Sequence, residues 1–393
     1  GLYLLAGYLR GPEQIRLEVS RELSTDRAVP GSPVQVAVSI LNRGGMLEEV
    51  LLEDILPRGL TLEGGSARSL TTLAPGGSHT LRYSVSGPRG GYAFEGLLVL
   101  ASDHLGVAGL QQRVPAASQL WVFPPVTRLR QVLIRPRRTR VYAGSIPARA
   151  GGAGVEFFGV RPYQPGDSSR SINWRASARH GEDLFTNEFQ QERVSDVGII
   201  LDARLRTNSI GSGHSLFEHC VQAAAALSGA FLEQGNRVGL LLYSNYLSWT
   251  YPAYGKLQRE RILQALAGAR PGDSQVFSVL EHIPTRLFPS GSQVVVISPL
   301  VPDDFTPLIR LRALGYQVMV ISPDPVSFEM AYLPPSRPVE LAARVVTMER
   351  ALLLQRLRRA GVQVLDWDTK QRLDLALYRG LGRPPGWLES IGS

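Results

Sequence analysis

Carboxylates are the side chains of this sequence best placed to do chemistry, and two stretches set them in a distinctive context. In the first, Glu156 and Asp167 flank a run of aromatics and arginines that continues through Arg170, Trp174 and Arg179. A carboxylate working as general acid or base must be free to exchange a proton with substrate. Asp167, however, follows Pro165-Gly166, which reads as a tight turn, and Arg161 and Arg170 stand nearby as hydrogen-bond donors. Trp174 offers a large apolar anchor, and Arg179, after Ser177-Ala178, is available to pair with Glu188 or Glu192. The segment therefore reads as a hydrogen-bonded structural platform packed against the following sheet. A hydrolase using Glu156 and Asp167 is the alternative. In the second stretch Asp202 ends the apolar run Val197-Gly198-Ile199-Ile200-Leu201 and is followed by Arg204 and Arg206.

Other chemistries lack their residues. The single cysteine, Cys220, excludes an internal disulfide framework and a cysteine-rich zinc site. None of the six histidines (His79, His104, His180, His214, His219 and His282) has the helical spacing of a zinc protease motif. His214, His219 and Cys220 are close in sequence, but their spacing does not put all three on one helix face. There is no nucleophile elbow of the Gly-x-Ser-x-Gly kind, no dinucleotide glycine spacing and no Gly-Lys-Ser/Thr phosphate loop. Asp366 and Asp368, around Trp367, read as caps for a following helix. No metal or organic cofactor is expected.

The elements that must position these residues fall into two halves. From residue 14 to 123 apolar residues alternate with polar ones, as in Val34, Val36, Val38 and Ile40. Turn signals such as Val29-Pro30-Gly31, Leu56-Pro57-Arg58-Gly59 and Pro88-Arg89-Gly90-Gly91 separate the runs. Period-two runs punctuated this way predict an immunoglobulin-like β-sandwich of about seven strands. From residue 195 to 393 continuous apolar runs alternate with helix-length stretches. Strands are expected at Val197–Asp202, Arg237–Tyr243, Val294–Ser298, Val318–Ile321 and Val362–Leu365. Helices are expected at Leu216–Glu233 and near Leu257–Ala267, Gln275–Leu287, Phe305–Leu314 and Arg344–Arg359. That alternation predicts a parallel sheet covered on both faces, with any ligand at the carboxyl ends of the strands.

Between the halves, residues 124–155 read as a solvated connector. It carries Arg128, Arg130, Arg135, Arg137, Arg138 and Arg140, and no acid lies between Asp103 and Glu156. The formal charge is +8, and Lys256 and Lys370 are the only lysines among 42 basic residues. The patch offers polyanion or membrane-surface binding as a further alternative, without specific recognition of nucleic acid. Residues 1–13 open on an apolar run, Leu2 to Leu9, too short to cross a bilayer; it reads as the end of a removed membrane helix or a docked segment.

The first stretch also resembles the signature of the bacterial and archaeal family known as domain of unknown function 58. Residues 156–194 hold it: Glu156-Phe157, then Arg161-x-Tyr163-x-Pro165-Gly166-Asp167, Arg170-x-Ile172-x-Trp174 and Ala178-Arg179, before the strand that ends in Asp202. Weaker likeness runs along the whole chain, including Asp103-x-x-Gly106 near the end of the β-rich half. The resemblance implies a β-sandwich followed by a Rossmann-type α/β domain of the von Willebrand factor A-like kind. It implies a membrane hairpin ahead of the sandwich, with the remaining portion expected in the cytoplasm. It further implies a non-enzymatic interaction module, partner of a MoxR-type AAA+ ATPase in assembly or maturation of other complexes.

Domains of the A type hold Mg²⁺ with an Asp-x-Ser-x-Ser loop after the first strand, because a small hard cation needs oxygen ligands. This chain has Asp202-Ala203-Arg204-Leu205-Arg206 instead, and Pro299 follows Ser298 at the end of the Val294–Ser298 strand. Arginine donates hydrogen bonds and cannot ligate a cation. The expectation is a lost metal site unless Asp303 or Asp304 substitutes. One reading of the loop has Arg204 or Arg206 beside Asp202, carrying the metal's charge and docking an acidic partner together with Ser298; the other has both arginines in water.

Overall fold

The computed structural model describes residues 15–102, 109–129, 140–141, 157–164, 172–179, 183–189, 193–194, 196–211 and 213–381. Among the described residues nine strands make up the sandwich: β1 Leu17–Leu23, β2 Arg27–Ala28, β3 Val34–Asn42, β4 Leu47–Asp54, β5 Thr61–Gly65, β6 Arg68–Leu73, β7 Ser78–Ser86, β8 Gly90–Ser102 and β9 Gly109–Val122. They form a four-stranded sheet, β1-β3-β7-β5, and a five-stranded sheet, β2-β9-β8-β4-β6. Along β3 the alternation does what period two requires, burying Val34, Val36, Val38 and Ile40. These meet Leu52, Leu97, Val99 and Leu120 of the other sheet in one core. At the turns Gly31, Gly59 and Gly76 take positive φ, which side chains resist.

Among the described residues the main sheet of the α/β domain has six strands: β10 Asp196–Asp202, β11 Arg237–Tyr243, β12 Leu247–Ala253, β13 Gln293–Ile297, β14 Gln317–Pro323 and β15 Gln363–Trp367. Their order is β12-β11-β10-β13-β14-β15, parallel throughout except for β12, which runs antiparallel to β11. Its helices are α1 Leu216–Glu233, α2 Gly255–Gly268, α3 Phe305–Ala313, α4 Pro325–Met330, α5 Arg337–Arg359 and α6 Leu373–Leu381. Successive strand residues point to opposite faces, so Ile199, Leu201 and Val295 pack with α1 and α6, while Ile200, Val294 and Val296 pack with α3 and α5. Both faces are thereby covered.

Three expectations change. No α-helix forms over 275–287, only the 3₁₀ turns Leu280–His282 and Thr285–Leu287; Pro284 removes a backbone donor in mid-segment. The helix expected from Arg344 begins at Arg337, with Pro338 in its first turn, where a missing N–H costs nothing. The connector is not simply solvated. Leu129 is buried in the α/β core and Val126 packs against it, because apolar side chains that close to the sheet's helices gain by leaving water. Arg128 is exposed, and Arg140–Val141 pairs antiparallel with Arg193–Val194; Arg130, Arg135, Arg137 and Arg138 lie outside the described residues.

The sandwich and the α/β domain touch. Arg89, on the β7–β8 turn, pairs with Glu218 in the first turn of α1 (2.8 Å) and also donates to the carbonyls of Leu266 and Ala267 at the end of α2. Arg27 reaches Glu260 on α2 at 3.0 Å.

Candidate functional site

In an open parallel sheet the crevice for ligands lies where the chain reverses its direction of travel across the strands. Here that point is between β10 and β13, since β11 lies on one side of β10 and β13 on the other. Asp202 closes β10, and Ser298 follows β13 directly. The sequence therefore delivers its acid to the topological switch point.

Arg204 fills the space between the acids there. Its Nε donates to Asp202 Oδ1 (2.8 Å) and its Nη2 to Asp202 Oδ2 (2.7 Å) and Asp304 Oδ2 (2.8 Å). Its Nη1 donates to Asp304 Oδ1 (2.8 Å) and to the Ser278 carbonyl (2.8 Å). A guanidinium has five N–H donors, and all five are used. Ser298 Oγ donates to Asp202 Oδ2 at 2.6 Å, and the Val301 N–H donates to Asp304 Oδ2 at 3.0 Å. Leu300 is the one described non-glycine residue at positive φ; this backbone lets its N–H reach Ser298 Oγ.

The cluster is dry. Asp202, Arg204, Ser298 and Asp304 are all at most 3% exposed. Burial alone disfavours the charged guanidinium, but Asp202 and Asp304 outweigh it and raise its pKa above arginine's ordinary value. One cation faces two anions, so an excess negative charge remains. Burial pushes Asp304 above the usual carboxylate range against the pull of Arg204. A divalent cation does not fit here, because the guanidinium already occupies the space between the carboxylates. Among the described residues no group of three His, Cys, Asp or Glu side chains is arranged to hold a metal.

Of the four residues expected to face a partner, the structure brings Asp202, Arg204 and Ser298 together but buries them. Only Arg206 presents itself to solvent, paired with the exposed Asp303 at 3.0 Å. The loop's two arginines thus diverge, Arg204 into the acids and Arg206 onto the rim. Arg204, with every donor used, has none for an external carboxylate.

A second arginine braces the same end of the sheet. Arg350, from α5, donates to the Pro299 carbonyl (2.7 Å), to Ser322 and to Asp366 (2.7 Å). This places Asp366 in an ion pair rather than a helix cap; Asp368 accepts from the Lys370 N–H in the β15–α6 turn. The sequence signal for Arg350 is its register: it is the arginine spaced three, four and seven residues from the buried Leu353, Leu354 and Leu357. His219 stands edge-on to Phe328 and Trp367, its pKa lowered by burial, and it lines a cavity of about 220 Å³ with Thr127 and Lys370. Cys220 is buried and its thiol is pushed up by burial, so it is no nucleophile.

Only some of the signature segment is described. The strand Phe157–Pro162, which includes Arg161, pairs antiparallel with Phe185–Phe189, and the Tyr163 N–H donates to the Leu184 carbonyl at 2.7 Å. A single helical turn, Trp174–Ser177, starts with Asn173 accepting from the Ala176 N–H. Trp174 is 68% exposed and anchors nothing among the described residues, contrary to expectation: the short turn has no buried face. Arg179 is exposed. Glu156, Pro165, Gly166, Asp167 and Arg170 lie outside the described residues.

Residues 159–343, from the signature strand into α5, match the family described as Protein of unknown function DUF58. The chain carries a DUF58 region. A Bacillus subtilis relative, "Uncharacterized protein YeaD", is 26% identical over 242 residues, covering 60% of this chain. The match spans 58% of that relative's length, so the chain corresponds to little more than half of it. Among solved structures the likenesses are slight. The CARDB domain of a Pyrococcus furiosus protein is 14% identical, covering 28% of this chain and 91% of its own, at a TM-score of 0.20. A FixG-related protein from Vibrio parahaemolyticus is 9% identical, covering 27% and 95%, at 0.19.

Proposed function

We propose that the chain is a non-catalytic interaction module that recruits its partner without a divalent cation. In this reading the α/β domain is of the von Willebrand factor A-like type and the sandwich is immunoglobulin-like. The strand order with one antiparallel edge, and the acid–serine pair at the switch point, support the first assignment. The observation that carries the proposal is the saturated Arg204. An A-type module uses its metal to bridge its own acids to a partner's carboxylate; here the bridge is an internal guanidinium whose donors are all satisfied within the chain. The Mg²⁺ that the fold type implies has no place, and recognition falls to the rim, where Arg206 and Asp303 are exposed.

The partner we propose is a MoxR-type AAA+ ATPase, engaged at this end of the sheet. The first test is capture of the ATPase by the full chain, nucleotide-free and nucleotide-loaded, with the nucleotide-free arm repeated in a chelator. Equal capture with and without the chelator is expected. Capture that vanishes on chelation overturns the cation-independent reading, and absence of capture in every nucleotide state overturns the partner. A companion test adds millimolar Mg²⁺ to the chain alone. The melting temperature of the native chain is expected to stay put, and that of Arg204→Ser, which restores Asp-x-Ser, to rise.

A further inference from the structure

Helix α5 carries apolar residues on two opposite faces, and only one of them is covered. Leu353, Leu354 and Leu357 are buried in the α/β core, and Arg350 turns inward to the strand ends. On the other face Leu341, Val345, Met348 and Leu352 are each between 52% and 61% exposed. From Arg337 to Glu349 only Val339 and Ala343 are even half-buried.

The spacing of the exposed face is 4-3-4. That is the heptad of a coiled coil, with Val345 and Leu352 at a, Leu341 and Met348 at d, and the inward Arg350 and Leu357 at f, diametrically away from the seam. Arg344 then falls at g and Glu349 at the e position five residues later. This is the spacing at which g of one helix faces e of a parallel partner helix. Neither the Arg344 nor the Glu349 side chain makes a hydrogen bond or ion pair among the described residues. An antiparallel partner sets g against g and e against e, and leaves both charges unmatched.

We infer that α5 pairs with the α5 of a second copy of this chain as a parallel two-stranded coiled coil. Its core is Leu341, Val345, Met348 and Leu352, flanked by two symmetric Arg344–Glu349 pairs between the copies. Because the anchored face lies opposite the seam, the two α/β domains sit on the outside of the pair. A seam of about two heptads buries less than the roughly 1,600 Å² of a standard interface, so the dimer is weak and concentration-dependent. The helix is already ordered by its own domain, which removes the nucleation cost that makes short isolated coiled coils unstable. The inference concerns a different element from the switch-point cluster and stands whichever partner that cluster serves.

Sedimentation velocity on the full chain, over a range of concentrations, is the test. A monomer–dimer equilibrium in the micromolar range is expected. Arg344→Glu and Glu349→Arg should each weaken the dimer severalfold, and the two together should restore it. Met348→Glu should weaken it on the order of tenfold or more. Val345→Cys should form a disulfide between copies under oxidation, with the native Cys220 buried out of reach. A chain that stays monomeric at every concentration overturns the inference. So does a dimer that is indifferent to the charge reversals and does not crosslink through Val345→Cys. A monomer that cosediments with anionic phospholipid vesicles, and is released by Met348→Glu, assigns the stripe to a lipid surface and likewise overturns it.

Discussion

Each domain of the molecule buries an arginine against aspartate, and the two arrangements do different work. In the sandwich, Arg21 of β1 pairs with Asp54 at the end of β4 and donates to the Ala116 carbonyl on β9, with its guanidinium 4.8 Å from the Phe94 ring centroid. The Tyr83 hydroxyl of β7 donates to the same carboxylate. Every link runs from one sheet to the other, with one cation for one anion. Burial, then the neighbouring Asp54, push the Tyr83 hydroxyl far up, so it remains a donor. In the α/β domain a single guanidinium serves two carboxylates at the switch point, and the sum is not neutral. A balanced pair rivets two sheets; an unbalanced one marks a place where the fold gathers acids and then needs a counter-charge.

The largest expected effect breaks the comparison if it comes out the wrong way round. Arg204→Ala strands two buried carboxylates, and removing one partner of a buried pair typically costs about 3–5 kcal/mol. Arg21→Ala strands one carboxylate that keeps its bond from Tyr83, so its cost is expected to be smaller, about 2–3 kcal/mol. Urea denaturation of the full chain, followed by probes in each domain, gives both numbers. If Arg21→Ala proves the more damaging, charge imbalance is not what distinguishes the two sites.

A smaller effect tests the imbalance directly. Asp304→Asn keeps the shape and removes the excess charge, at an expected cost of about 1–2 kcal/mol near neutral pH for the weakened bonds to Arg204. The pH dependence is more telling. The pKa of Asp304 is raised in the folded chain above its ordinary 3.8, so the folded state binds that proton more tightly than the unfolded one. Its contribution to stability therefore grows as pH falls through the folded value towards 3.8 and is lost as pH rises. Relative to the native chain, Asp304→Asn should look worse as pH falls and better as pH rises. A difference that does not change with pH would mean that Arg204 neutralises Asp304 fully.

Much of this architecture was legible because one physical rule dominates each domain. Period two exposed β3, and unbroken apolar runs exposed β10, β11 and β13 to within a residue or so. The antiparallel edge β12 was missed because an edge strand is half-wetted: Trp249 packs while Tyr251 stays exposed. At the site, Asp202, Arg204 and Ser298 could be named in advance, yet their burial could not, since nothing local says whether an arginine after a strand turns in or out. The decision is made by Asp304, a hundred residues away, which supplies the second carboxylate. The inter-domain grip of Arg89 was hidden for the same reason. A turn with Pro88 and Gly90 reads as solvent-facing until the ends of α1 and α2 are brought to it.

The smallest effect on stability carries the sharpest functional contrast. Arg206 and Asp303 are 3.0 Å apart but 37% and 61% exposed, and an ion pair in water contributes only about 0.2–1 kcal/mol. Arg206→Ser should leave the unfolding midpoint almost unchanged and leave the Arg204 cluster intact. A partner that docks on the rim should nonetheless bind this variant more weakly, and its affinity for the native chain should fall with added salt, because an exposed charge is screened where a buried one is not. Arg204→Ser with Mg²⁺ present supplies the opposite case, perturbed within and unchanged at the rim. If capture of the partner follows Arg206 and ignores Arg204, recognition lies at the surface and the buried acids serve the fold. If it follows Arg204 alone, the switch-point cluster itself is what the partner senses.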